Sequence, residues 1–176
     1  MISLKKISYQ ILFCIIFFIF MNNTTQAKNI KNSAVIFMYH KFDVPKYPST
    51  NIALDQFEKH LSEFSKSEYN VLPIDYIVDV IINDGNLPPN SIGISVDDAD
   101  RSFFEVAWPK FKEKGFPVTL FITTSTIIKG NKNYLNWDEI RQLKSEGVTI
   151  GAHSHTHKHQ ANFSIKELRD EIETSN

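Results

Sequence analysis

Strand-like apolar runs alternate with segments of helical periodicity along most of this chain, and that alternation predicts an α/β fold with parallel strands. Two polar clusters show where its chemistry lies. Four of the six histidines fall within His153-Ser154-His155-Thr156-His157-Lys158-His159, directly after the strand-like Val148-Thr149-Ile150. Upstream, the apolar run Ile92-Gly93-Ile94-Ser95-Val96 ends in Asp97-Asp98-Ala99-Asp100. Parallel strands of such folds end on one face, where the active sites of α/β barrels lie, so these imidazoles and carboxylates are expected to converge. Both are ligands of zinc-like divalent metals, and a catalytic site needs only three protein ligands, with a fourth position for water. The pattern is that of a metallohydrolase.

The first segment reads as targeting, not folding. Lys5 and Lys6 precede the apolar run from Ile11 to Met21, and Thr25-Gln26-Ala27 supplies the small residues of a signal-peptidase site. An apolar run of about 11 residues falls short of the roughly 20 needed to span a bilayer. Residues 1–27 are therefore expected to be a cleaved signal peptide, 28–33 a polar linker and 34–176 one domain exported to the periplasm or the exterior, with membrane contact only through the leader. Cys14, the only cysteine, lies in that leader, which leaves the mature chain without disulfides or thiolate ligands.

Folding proper begins at Ala34-Val35-Ile36-Phe37-Met38-Tyr39, a buried-strand pattern ending at His40. Leu54, Phe57, Leu61 and Phe64 recur at helical spacing, and Ile74 to Ile82 gives a second helix for which Gly85 is the expected C-cap. After the Asp97-Asp98 strand, Phe103, Phe104, Ala107, Trp108 and Phe111 mark a helix stopped by Gly115, in which Pro109 should start a new turn or kink the old one. A strand from Val118 to Thr123 follows. Asn136 with Glu139 forms a capping-box pattern, Gly147 closes that helix, and Ser164 with Glu167 repeats the pattern before a last helix to about Glu173. The composition, 42% hydrophobic and 22% charged over 176 residues, suits one globular core. With a formal charge of −1 and no basic or aromatic-interleaved stripe, nucleic acid is not expected as a partner.

Ile94-Ser95-Val96-Asp97-Asp98-Ala99 resembles the first motif of the polysaccharide deacetylases (NodB-like, carbohydrate esterase family 4), and His153-Ser154-His155-Thr156-His157 resembles the second. Met38-Tyr39-His40, Gly115-Phe116-Pro117-Val118-Thr119-Leu120-Phe121 and Trp137 agree with it. The resemblance implies a distorted (β/α) barrel of the glycoside hydrolase/deacetylase type, Asp97 as catalytic base, and Asp98, His153 and His157 as ligands of a divalent metal, zinc first, with cobalt or nickel as alternatives. It also implies an N-acetylated polysaccharide as substrate. Ala99 stands where the family usually has glycine. The family's later motifs, including the leucine-histidine motif that supplies the leaving-group acid, do not follow, so the expectation is a barrel truncated after about half its strands and lacking that acid.

The residues taken singly also have plainer readings. Paired aspartates after a strand often form a turn or an N-cap, and histidine-rich tracts often do no more than scavenge metal. Nothing requires His155 or His159 as a ligand, so neither is expected to be one; His40 is expected to pack or hydrogen-bond near the site, and His60 to lie on the surface. Two other functions stay open: a different metal-dependent barrel hydrolase, and a non-catalytic relic that binds metal or glycan without turnover.

Overall fold

The computed structural model describes residues 33–175, so the expected leader and almost all of the linker lie outside the described residues. The chain runs β1 (Ala34–Tyr39), β2 (Lys41–Phe42), β3 (Asn51–Ile52), α1 (Leu54–Phe64), β4 (Asn70–Val71), α2 (Ile74–Ile82), β5 (Ser91–Asp97), a π-helical turn (Phe103–Ala107) continuing into α3 (Trp108–Lys114), β6 (Thr119–Ile122), α4 (Thr124–Ile128), α5 (Trp137–Ser145), β7 (Thr149–Ala152) and α6 (Ile165–Ser175). The main sheet has the order β1-β5-β6-β7, and every pairing is parallel, as the strand–helix alternation predicts. β1 runs alongside β5 from Ala34↔Ser91 to Tyr39↔Val96; β4 and β6 therefore share the opposite edge of β5, β4 at its start and β6 at its end. β2 and β3 form a separate two-stranded pair.

The core lies between the sheet and α1, α3 and α5. Phe42, Phe57, Phe103 and Phe111 are fully buried, with Phe42 and Phe57 ring centroids 4.9 Å apart and Phe57 and Phe111 5.0 Å apart in edge-on packing. Truncating one such phenylalanine to alanine typically costs about 3–5 kcal/mol. Gly93 sits in this sheet because space demands it: a Cβ there would meet Ile36 Cδ1 at 2.5 Å and Ile74 Cγ1 at 3.0 Å, which ties β5 to β1 and α2.

Several expectations change on contact with the fold. β1 is only partly buried: Tyr39 is buried and Phe37 packs on the core, while Val35 is 58% exposed and Met38 61%, because no strand among the described residues pairs with its outer edge. Gly85 does not take the left-handed position after α2. Asp84 does, at φ 51°, and Gly85 donates its N–H to Val80 O at 2.8 Å instead. His60 is not a free surface residue, since its Nδ1 lies 2.8 Å from the Tyr39 hydroxyl and its ring packs against Phe37 and Phe64. Pro109 marks the predicted discontinuity: lacking an N–H for the carbonyl four residues back, it follows a widened π turn and sits in the first turn of α3. Both capping boxes form, Asn136 with Glu139 and Ser164 with Glu167. Among the described residues, no helix is long and apolar enough to cross a membrane.

Candidate functional site

The first half of the site is the end of β5. That strand is buried at every position, so its ladder is rigid and its last residue, Asp97, is delivered at a defined height, 7% exposed. The chain then turns sharply: Asp98 and Ala99 both take left-handed backbone, at φ 71° and 57°. L-residues adopt that conformation at a cost of roughly 1–2 kcal/mol each, and such outliers cluster where a site over-determines the backbone. The turn is held from both sides. Leu135 N–H donates to Ala99 O at 3.0 Å. Asp100 is buried, accepts from Ser102 N and Oγ, and pairs with buried Lys41 at 2.5 Å. Arg101 grips the capping-box residue Glu139 with two nitrogens, at 2.6 and 3.2 Å.

The second half is the end of β7. The sheet register extends one residue past the strand, with His153 N–H bonded to Ile122 O at 2.9 Å, so His153 is set by the ladder and not by a free loop. Gly151 makes this approach possible, since a Cβ there would fall 2.6 Å from the Phe121 ring on the neighbouring strand. Beyond it, Ser154 (φ 64°) and His157 (φ 58°) are left-handed, and His157 N–H closes back on Ser154 Oγ at 3.1 Å.

These two turns bring Asp98, His153 and His157 together, with one ligand atom of each within 4.8 Å of the others. Asp98 Oδ1 lies 3.7 Å from His153 Nε2 and 3.6 Å from His157 Nε2, and the two Nε2 atoms are 3.0 Å apart. A tetrahedral zinc with bonds of about 2.0–2.1 Å separates its ligand atoms by roughly 3.3 Å. The donor set and its spacing therefore fit a divalent cation, with one carboxylate and two imidazoles meeting at a single point. Asp97 stands beside this group, its Oδ2 4.0 Å from His153 Nε2. Burial pushes the Asp97 carboxyl above the usual range, against the lowering influence of His153 and His40.

The structure also sorts the remaining histidines. His155 turns away from the group, with left-handed Ser154 between it and His153, and its Nδ1 meets Thr124 Oγ1 at 2.8 Å on α4. His159 is exposed and belongs to no ligand cluster among the described residues. His40 follows directly on the Tyr39↔Val96 pair, which carries it alongside Asp97 on the neighbouring strand end, where it opposes the rise in the Asp97 pKa. Its place at a strand end was the signal, and the pairing of β1 with β5 puts it at the same end of the sheet as Asp97. Glu171 was not singled out at all. It lies on α6 and bonds the backbone between the two site histidines.

Two openings lie near this end of the sheet, one at the histidines and one over the Asp100 turn. One, of about 480 Å³, is lined by His153, Ser154, His157 and His159. Another, of about 580 Å³, lies over the Lys41–Asp100 pair and includes Tyr47, Arg101 and Tyr134.

Comparison with known proteins agrees with this geometry. The polysaccharide deacetylase family model matches residues 84–176. The poly-beta-1,6-N-acetyl-D-glucosamine N-deacetylase of Staphylococcus aureus is 26% identical over 133 residues, covering 74% of this chain and 44% of the relative. The chain thus spans less than half the length of the curated relatives it matches. Among solved structures, the Streptococcus pyogenes deacetylase PplD in complex with acetate superposes with a TM-score of 0.73 at 20% identity, over 83% of this chain and 66% of that one. IcaB from Ammonifex degensii gives 0.70 at 18% identity, over 82% and 66%. The fold is that of these neighbours.

Proposed function

Since the chain belongs to the polysaccharide deacetylase family, we propose that it is a metal-dependent hydrolase removing N-acetyl groups from an N-acetylhexosamine-containing polysaccharide outside the cytoplasm. The observation that carries the reading is the convergence of Asp98, His153 and His157 on one point with unligated Asp97 beside it. The first substrate to try is the polymer after which the Staphylococcus aureus relatives are named, poly-β-1,6-N-acetyl-D-glucosamine. Export rests on the leader read from residues 1–27.

Asp98, His153 and His157 would hold the cation, zinc before cobalt or nickel. When bound, it lowers the pKa of a coordinated water toward about 7 and polarises the acetamide carbonyl. The two imidazoles act through Nε2, so each must keep its proton on Nδ1. Asp97, buried beside the ligand group and outside it, takes the proton of the attacking water as the new C–O bond forms at the acetamide carbon. The C–N bond then breaks, and the departing amine needs a proton. Sequence reasoning expected no group in this chain to supply it, but His40, alongside Asp97 at the end of β1, is suited to that task in its protonated form.

The test is acetate release from N-acetylglucosamine oligomers by the zinc- or cobalt-loaded chain, compared with Asp97→Asn and His40→Ala. Asp97→Asn should retain metal and lose most turnover, because an amide cannot accept the proton; His40→Ala should fall by about a hundredfold to ten-thousandfold. Parental turnover in Asp97→Asn would remove the base assignment. Metal binding without acetate release from any acetylated glycan would turn the reading toward a binding role.

A further inference from the structure

The last helix reaches into the histidine loop. Glu171, on α6, is only 8% exposed, and a glutamate is rarely so buried without partners. Its partners are not cations. Oε2 accepts the backbone N–H groups of His155 at 3.0 Å and Thr156 at 2.8 Å, while Oε1 takes the Thr156 hydroxyl. These residues lie midway between His153 and His157. The next N–H, that of His157, goes to Ser154 Oγ, and the His155 carbonyl accepts from Ser125 N at 2.9 Å. Every backbone N–H from 155 to 157 is therefore captured, two of the three by one carboxylate. The loop needs such a hold, because Ser154 and His157 sit in left-handed conformations that an unrestrained loop would leave.

We propose that Glu171 is a positioning residue for the metal ligands. By binding the two central N–H groups it holds the turn that aims both Nε2 atoms at Asp98, so that metal affinity depends on a side chain that touches no metal. This rests on the ligand assignment made above. Outer contacts of this kind typically change affinity by about 10–100-fold when removed. The role is one of shape and not of charge. In Glu171→Gln the amide oxygen can still accept both N–H groups and its NH2 can meet the Thr156 hydroxyl, whereas Glu171→Ala leaves two buried donors without acceptors.

The experiment uses the full chain with cobalt(II), reading the dissociation constant and the visible absorption band, together with amide hydrogen exchange of the metal-free protein. Glu171→Ala is expected to bind cobalt about 10–100-fold more weakly, with an altered band and faster exchange at the His155 and Thr156 amides, while Glu171→Gln stays near the parent. A folded Glu171→Ala protein with parental affinity and band would overturn the proposal and leave the ligand assignment standing. A purely structural glutamate would lower the unfolding midpoint and nothing else. If Glu171→Ala does not fold, Thr156→Val decides: weaker cobalt binding at an unchanged unfolding midpoint supports the proposal, and unchanged binding overturns it. Parental binding by His153→Ala would show instead that the ligand assignment is wrong, and the role of Glu171 would fall with it.

Discussion

Two of the three candidate ligands, Asp98 and His157, carry left-handed backbone, and so do the neighbours Ala99 and Ser154. Strain is therefore concentrated at the two strand ends that make the site, and hydrogen bonds with Leu135, Ser154 and Glu171 hold it there. Ala99 shows the same constraint from the sequence side: the resemblance marks it as standing where glycine is usual, and its φ of 57° with complete burial explains why glycine suits the position. At this scale the assignment is separable residue by residue. Asp98→Ala, His153→Ala and His157→Ala each remove one of three bonds to the cation and should weaken zinc binding strongly in calorimetric titration. His159→Ala should bind as the parent does. His155→Ala should lose the Thr124 contact and some stability, yet keep most of its affinity. Loss of zinc binding in His155→Ala with retention in His153→Ala would reverse the assignment.

At the scale of elements, what could be read in the sequence was what local chemistry decides. The capping boxes at Asn136 and Ser164, the stop at Gly115 and the strand end at Asp97 depend on neighbours within a few residues, and they stand where they were expected. What could not be read depends on partners far along the chain. β2 and β3 are two-residue strands that exist only because they pair. α4 is a five-residue helix tied to the histidine loop through Thr124 and Ser125. Glu171 meets the histidine loop only through the docking of α6. Glu146 is another such tie, and it can be titrated. At the end of α5, its carboxylate accepts from Trp108 Nε1 at 2.6 Å and from Gln142, and faces Lys112 at 3.1 Å, which together lower its pKa from 4.5 to about 2. Because the folded pKa is depressed, the stabilisation is fully present above the unfolded value and is lost as pH falls from about 4.5 toward about 2. The unfolding midpoint of the parent should thus drop across that window more steeply than that of Glu146→Gln. Equal slopes for the two proteins would show that the Trp108–Glu146 contact carries no such linkage.

For the sheet as a whole, burial is uneven in a way that predicts behaviour in solution. In the main sheet β5 is buried throughout and β6 nearly so. Exposure is concentrated at the two ends of the strand order. On β1, Val35, Ile36 and Met38 are 58%, 43% and 61% exposed, and on β7 no position is fully buried. An exposed apolar strand edge presents unpaired N–H and C=O groups beside sticky side chains, the combination that drives edge-to-edge association. The stable aromatic core under α1 and α3 does nothing to cover it, so a well-folded chain and a self-associating one are compatible. Residues 28–176 expressed alone should show an apparent mass that rises with concentration in static light scattering. Replacing Val35 and Met38 together by lysine should reduce that rise without lowering the unfolding midpoint, because both side chains already face water and a charged edge is how natural sheets block such pairing. A strictly monomeric parent, or a lysine variant that associates as strongly as the parent, would locate the adhesive surface away from β1.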